Sequence, residues 1–130
     1  MEKTRLLLTT ILFLIITISS CKKEDIKCSN DKEFCAFIDK EQYNETGSII
    51  DTYLKGQKKN LNEGEKLEQL RTWLNCKSCV TRTELLCNSC IYTSPPQSEI
   101  KVWFTVNGQE VVKVLDIIMD EPLRFRTFHD

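Results

Sequence analysis

The stretch NCKSCVTRTELLCNSC, from Asn75 to Cys90, carries two Cys-x-x-Cys pairs with seven residues between them. No other feature of the chain constrains its fold as strongly. Thiols this close together bind a metal, exchange disulfides or join to one another, and each outcome needs its own compartment. Cys21, Cys28 and Cys35 lie upstream, making seven cysteines in 130 residues.

The compartment is read from the first residues. MEKTRLLLTTILFLIITISSCKKED has a positive start at Lys3 and Arg5, then an uncharged, mostly apolar run from Leu6 to Ser20. A membrane-spanning helix needs about 20 apolar residues. A charged start, a shorter apolar centre and small residues at its end read instead as a secretory signal peptide. Ile18-Ser19-Ser20-Cys21 resembles the lipobox of bacterial lipoproteins: an aliphatic residue, two small residues, then cysteine. The resemblance implies cleavage before Cys21, a diacylglycerol on its thiol and acylation of its new amino group. The lipid bilayer is then the first partner. Two or three acyl chains, at about 0.8 kcal/mol per buried methylene, hold where one chain holds only marginally. Lys22 in place of Asp argues by analogy against inner-membrane retention. Lys22-Lys23-Glu24-Asp25 resembles the acidic export signals of surface lipoproteins. The expected address is the outer membrane of a Gram-negative-type envelope, extending to the cell surface.

Residues 1–20 are thus expected to be the signal peptide, 21–32 a lipidated polar tether and 33–130 one folded domain, a length that suits one domain and not two. Without Lys3, Arg5 and Glu2 the mature chain has 16 Lys and Arg against 18 Asp and Glu. It lacks the basic block that nucleic acid requires.

With Cys21 assigned to lipid, Cys28, Cys35, Cys76, Cys79, Cys87 and Cys90 remain. An even number in a small exported domain points to disulfides, each typically contributing about 2–4 kcal/mol. Zinc is the competing reading, since paired knuckles supply four thiolates. The gap between the pairs is short for that, and neither carries a Gly or Pro. Redox exchange needs a thiolate favoured by a helix N-terminus. Cys76 instead follows a helix, where the dipole opposes negative charge. No metal and no cofactor are expected. The pairing expected is local: Cys28 with Cys35, and Cys76/Cys79 joined crosswise to Cys87/Cys90. An odd offset in a strand would send Cys87 and Cys90 to opposite faces.

Two helices are expected. The first runs from Asp39 to Lys55, with Asp39 and Gln42 as a capping box and Gly47 marking a close contact. The second starts at Asn62 with Glu65 and carries Leu67, Leu70 and Leu74 on one stripe, ending at Asn75. Leu85 to Thr93 reads as a strand. Glu99 to Val106 alternates, with Ile100, Val102, Phe104 and Val106 on one face. Asn107-Gly108 is a strong hairpin signal. Gln109 to Met119 returns as a central strand apolar on both sides, and Leu123 to Phe128 alternates again. The fold class is α+β: two N-terminal helices packed on a four-stranded antiparallel meander, stapled by disulfides.

His129 is the only histidine, and a residue so near a chain end is expected to be a solvated tail group. No HExxH, P-loop, GxGxxG or nucleophile elbow occurs. Trp103, facing away from the apolar side of its strand, and Arg124 and Arg126 on the last strand are the candidate partner surface. The edge of that strand could also accept a strand from another protein. The chain is expected to be an anchored, non-enzymatic domain that binds a protein or glycan. The alternative is a thiol-redox or zinc-binding protein built on the paired motifs. An inhibitor or immunity role is a third class that no residue selects.

Overall fold

The structure is a computed structural model and describes residues 28–130. The expected signal peptide, the lipobox-like stretch with Cys21 and most of the expected tether lie outside the described residues. Among the described residues three helices, not two, precede the sheet: α1 (Asp31–Asp39), α2 (Tyr43–Lys55) and α3 (Glu63–Asn75). The strands are β1 (Val80–Ile91), β2 (Gln97–Val106), β3 (Gln109–Ile118) and β4 (Arg124–His129). They pair antiparallel in the order β1-β2-β3-β4, the meander that the alternation predicts. None of the described helices is long and apolar enough to cross a membrane.

Helix α1 replaces part of the expected tether and corrects the start of the following helix. Asp39 is its last residue, not the cap of α2. Asp31 and Glu33 in its first turn complement the helix dipole, and Phe34 and Ile38, one turn apart, are buried. It closes in a Schellman arrangement: Gln42 N–H donates to the Phe37 carbonyl (2.8 Å) and Glu41 N–H to the Ile38 carbonyl (3.0 Å). The left-handed position there is Glu41, with φ 57°. Without a Gly at that place to mark a helix end, sequence reading starts its first helix at Asp39 and assigns none to the residues of α1 before it. Helix α2 then begins at Tyr43, and Gln42 makes no side-chain cap bond.

The second capping box is present as expected. Asn62 Oδ1 accepts from Glu65 N–H at 2.8 Å, and Asn62 Nδ2 donates to Glu65 Oε1 at 2.6 Å. Helix α3 buries Leu67, Leu70, Trp73 and Leu74. Tyr53 of α2 stacks on Trp73 with ring centres 4.4 Å apart. Gly47 marks the close approach expected of it, because a Cβ there would overlap the Phe125 ring of β4.

The core lies between the helices and one face of the sheet, where Ile100, Val102, Phe104, Leu115 and Ile117 are buried against Phe34, Ile50 and Leu70. Asn107 (φ 50°) and Gly108 (φ 79°) turn the β2–β3 hairpin, both with the positive φ that a two-residue turn of this hand needs. Strand β3 is central in the sheet, but it is not covered on both sides along its length: Val112 is 37% exposed, and only Leu115 to Ile117 are buried in succession. Strand β1 starts at Val80, five residues before the expected Leu85. Its pairing with β2 is interrupted three times by register shifts, which is why alternation fails to reveal its first half.

The cysteines pair as Cys28–Cys76, Cys35–Cys79 and Cys87–Cys90, with Cα atoms 5.5–5.6 Å apart. This bears out the disulfides and corrects the expected connectivity. Two bridges carry the N-terminal segment and α1 to the turn between α3 and β1, so the folded unit already includes Cys28. The third closes within β1. Cys87 and Cys90 meet because Ser89 has φ 56°, which breaks the strand alternation that would have kept them apart. Ser98, fully buried on β2, holds that bulge: its Oγ accepts from Ser89 N–H at 2.8 Å.

Candidate functional site

The face of the sheet turned away from the helices follows from the pleat. If Ile100, Val102 and Phe104 point into the core, then Glu99, Lys101 and Trp103 point out. Register carries that face across the sheet: Cys87 lies opposite Glu99, and Glu99 opposite Asp116. His129, opposite Val114, is the diagonal neighbour of Asp116. At one end of the open face, each of the four strands therefore contributes chemistry: Cys87 and Cys90 from β1, Glu99 from β2, Asp116 from β3, His129 and Arg126 from β4.

The geometry is close. His129 Nε2 lies 3.0 Å from Asp116 Oδ1 and 3.7 Å from Glu99 Oε2. Arg126 Nη1 donates to the other Asp116 oxygen at 3.3 Å. His129 Nδ1 lies 3.2 Å from the main-chain oxygen of Asp130. The sulfurs of Cys87 and Cys90 and a Glu99 carboxylate oxygen lie within 4.8 Å of one another. Asp116 has only 5% of its side chain exposed, against 43% for His129. A carboxylate so deeply placed needs partners, and His129 and Arg126 provide them. Both groups facing the imidazole nitrogens are hydrogen-bond acceptors, an arrangement that favours the protonated ring. The hydrogen bond to Asp116 is the main reason that the His129 pKa rises above its ordinary value, burial opposing it.

The sequence-derived candidates separate here. Arg126 belongs to the cluster. Arg124 does not: it pairs with Asp120 at 3.3 Å in a half-exposed bridge. Trp103 lies about 13 Å along β2 from Glu99 and is not the exposed aromatic expected of it. It is 6% exposed, with the Arg82 guanidinium 3.8 Å and the Lys101 ammonium 4.9 Å from its ring centre. The cross-strand partner Arg82 stacks on the indole and removes it from solvent. His129 is not a loose tail residue, because it closes β4 against β3. Cys28, Cys35, Cys76 and Cys79 sit at the other side of the molecule's connectivity, holding α1.

Sequence reading singled out neither Glu99 nor Asp116. A signal existed in the single acid of VVKVLDIIM, since an aspartate inside an apolar central strand has to be compensated. Lys77 was missed as well. Fully buried between Cys76 and Cys79, it donates to the Ser29 carbonyl and lies 4.0 Å from the Trp73 ring centre. Burial lowers its pKa to about 8. Its inaccessibility makes it a structural cation.

A groove of about 420 Å³ between α1 and α2 is lined by Glu33, Phe37, Glu45 and Ile49 among others and contains none of the open-face cluster. In the cluster His129 and Glu99 are partly exposed, at 43% and 25% of their side chains, while Asp116 lies beneath them. The chain matches no family model, no curated protein and no solved structure.

Proposed function

We propose that this protein is a lipid-anchored envelope domain that binds a protein or glycan partner through the open face of its sheet and catalyses no reaction. The observation that supports this reading best is that the sheet has one face under helices and one that no other described element covers. Val112 and, on β1, Leu86 remain exposed at 37% and 45% on the strands of that sheet, and Tyr92 just beyond β1 at 94%. Val112, opposite Trp103 in the β2–β3 register, keeps an apolar side chain in water beside the stacked Arg82–Trp103 pair, which suits a contact surface. The anchor reading rests on the lipobox resemblance at Cys21. It gains support from Cys28, seven residues further on, which is covalently bonded to Cys76. A short tether leading directly into a stapled domain fits display close to the lipid.

Thiol exchange at Cys87–Cys90 is the second reading, favoured by one observation: Cys90 is exposed, and its bridge spans a sequence separation of only 3. Two features oppose it. The pair lies in a strand with no helix N-terminus behind it, and the Glu99 carboxylate beside both sulfurs resists the thiolate charge that exchange needs.

The test is the intact mass of the protein taken from its own membrane, with and without alkylation under non-reducing conditions. The expected result is an acylated chain beginning at Cys21 with no alkylated cysteine. An unacylated mass removes the anchor, and alkylation at Cys87 and Cys90 alone moves the function to thiol chemistry.

A further inference from the structure

We propose that Glu99, Asp116 and His129 form a binding site for one divalent transition-metal ion of the zinc class, in the protein with all its disulfides formed. The inference concerns the folded domain and stands apart from the anchor.

Three adjacent strands bring one ligand each to the same point, and the three ligand atoms lie within 4.8 Å of one another. Ligands around a tetrahedral zinc ion lie about 3.3 Å apart. The observed separations of 3.0 Å (His129 to Asp116) and 3.7 Å (His129 to Glu99) bracket that value, so binding needs side-chain adjustment and no movement of strands. Two carboxylates and one imidazole are a hard and borderline donor set of the kind zinc accepts, and leave a fourth position for water or a partner's side chain.

The groups behind the ligands are placed as metal sites require. His129 Nδ1 is held by the Asp130 main-chain oxygen, which directs Nε2 at the two carboxylates and assigns it as the ligating nitrogen. Arg126 engages Asp116 Oδ2 and leaves Oδ1 toward His129. The ion would take the place of the Nε2 proton between Asp116 and Glu99. Once the imidazole gives up its Nε2 proton to ligate, two carboxylates against one guanidinium leave a net negative charge at the point of binding. The Cys87–Cys90 bridge walls one side of Glu99 and, while oxidised, offers no thiolate.

The experiment is a zinc chloride titration of the full, oxidised, chelator-treated protein, followed by calorimetry, with cobalt(II) as a spectroscopic substitute. The expected result is one ion per chain and a cobalt spectrum without a sulfur-to-metal band. Glu99→Gln and His129→Ala should each weaken binding on the order of 100-fold, while the disulfide mass and thermal midpoint of the Glu99→Gln chain stay unchanged. Absence of stoichiometric binding overturns the site, and so does affinity indifferent to both substitutions. Binding that emerges only after reduction of Cys87–Cys90, with a sulfur band, overturns it too, by giving the ion to the dithiol.

Discussion

Asp51 Oδ1 accepts the main-chain N–H of Phe125 at 2.7 Å, so a carboxylate on α2 satisfies the first turn of the last strand. That contact explains how a short edge strand stays in register. The β3–β4 ladder shifts between Asp116 and Ile117, which leaves Arg126 as the bulged residue. The bulge directs Arg126 toward Asp116, and the helix takes the donor that the next strand would otherwise have claimed. It also narrows the edge on which strand addition from another protein could build.

Asp51→Ala should therefore destabilise the domain by about 1–3 kcal/mol, because a partly buried N–H loses a charged acceptor. Asp51→Asn keeps an acceptor oxygen and should cost less than half as much. Urea midpoints of the two variants measure the difference. Equal midpoints would mean that water replaces the carboxylate without loss.

Glu41 adopts φ 57° to close the Schellman turn after α1. A left-handed non-glycine residue carries about 1–2 kcal/mol of strain, and glycine there relieves it at an entropic cost of roughly 0.5–1 kcal/mol. Glu41→Gly should accordingly raise stability by up to about 1 kcal/mol, seen as a higher thermal midpoint. A lower midpoint would show that the Glu41 side chain contributes more than its backbone costs.

The three bridges should contribute unequally. Cys28–Cys76 and Cys35–Cys79 span separations of 48 and 44 residues, and Cys87–Cys90 a separation of 3. Loop-closure entropy assigns about 4 kcal/mol to each long bridge and about 2 kcal/mol to the short one. Replacing Cys35 and Cys79 together by serine should lower the unfolding free energy about twice as far as replacing Cys87 and Cys90. The reverse order in denaturant titrations would place the main covalent support inside β1.

Lys77 makes stability depend on pH. Its pKa is about 8 in the fold, lowered by burial from the ordinary 10.5. Between those values the unfolded chain binds more protons, so stability rises with pH across that window and this group contributes no slope below it. The gain is on the order of 2 kcal/mol, reduced from the full value of the shift because the Trp73 face favours the charged form. Unfolding at pH 7.5 and pH 10 without free thiol measures it against Lys77→Met, in which the rise should vanish. A parallel rise in the variant would assign the slope to other groups.

What the sequence determined by itself are the features that neighbours in the chain decide. The Asn62–Glu65 box, the Asn107-Gly108 turn and the alternation of β2 each depend on a few consecutive residues, and each is found where local chemistry puts it. The even cysteine count foretold disulfides for the same reason of composition. Tertiary structure decided everything that depends on register. Glu41 closes a helix without the glycine that marks such ends. Ser89 turns two cysteines that alternation separates toward each other, and Arg82 stacks on the tryptophan expected to be exposed. Glu99, Asp116 and His129 are spread over 31 residues, and they converge only because three strands pair in one frame. A slip of one residue would send Asp116 into the core and scatter the site, since side chains alternate with period two. That frame is set by the burial of Ile100, Leu115 and Phe128 against the helices, a choice made by packing and not by any local run of sequence.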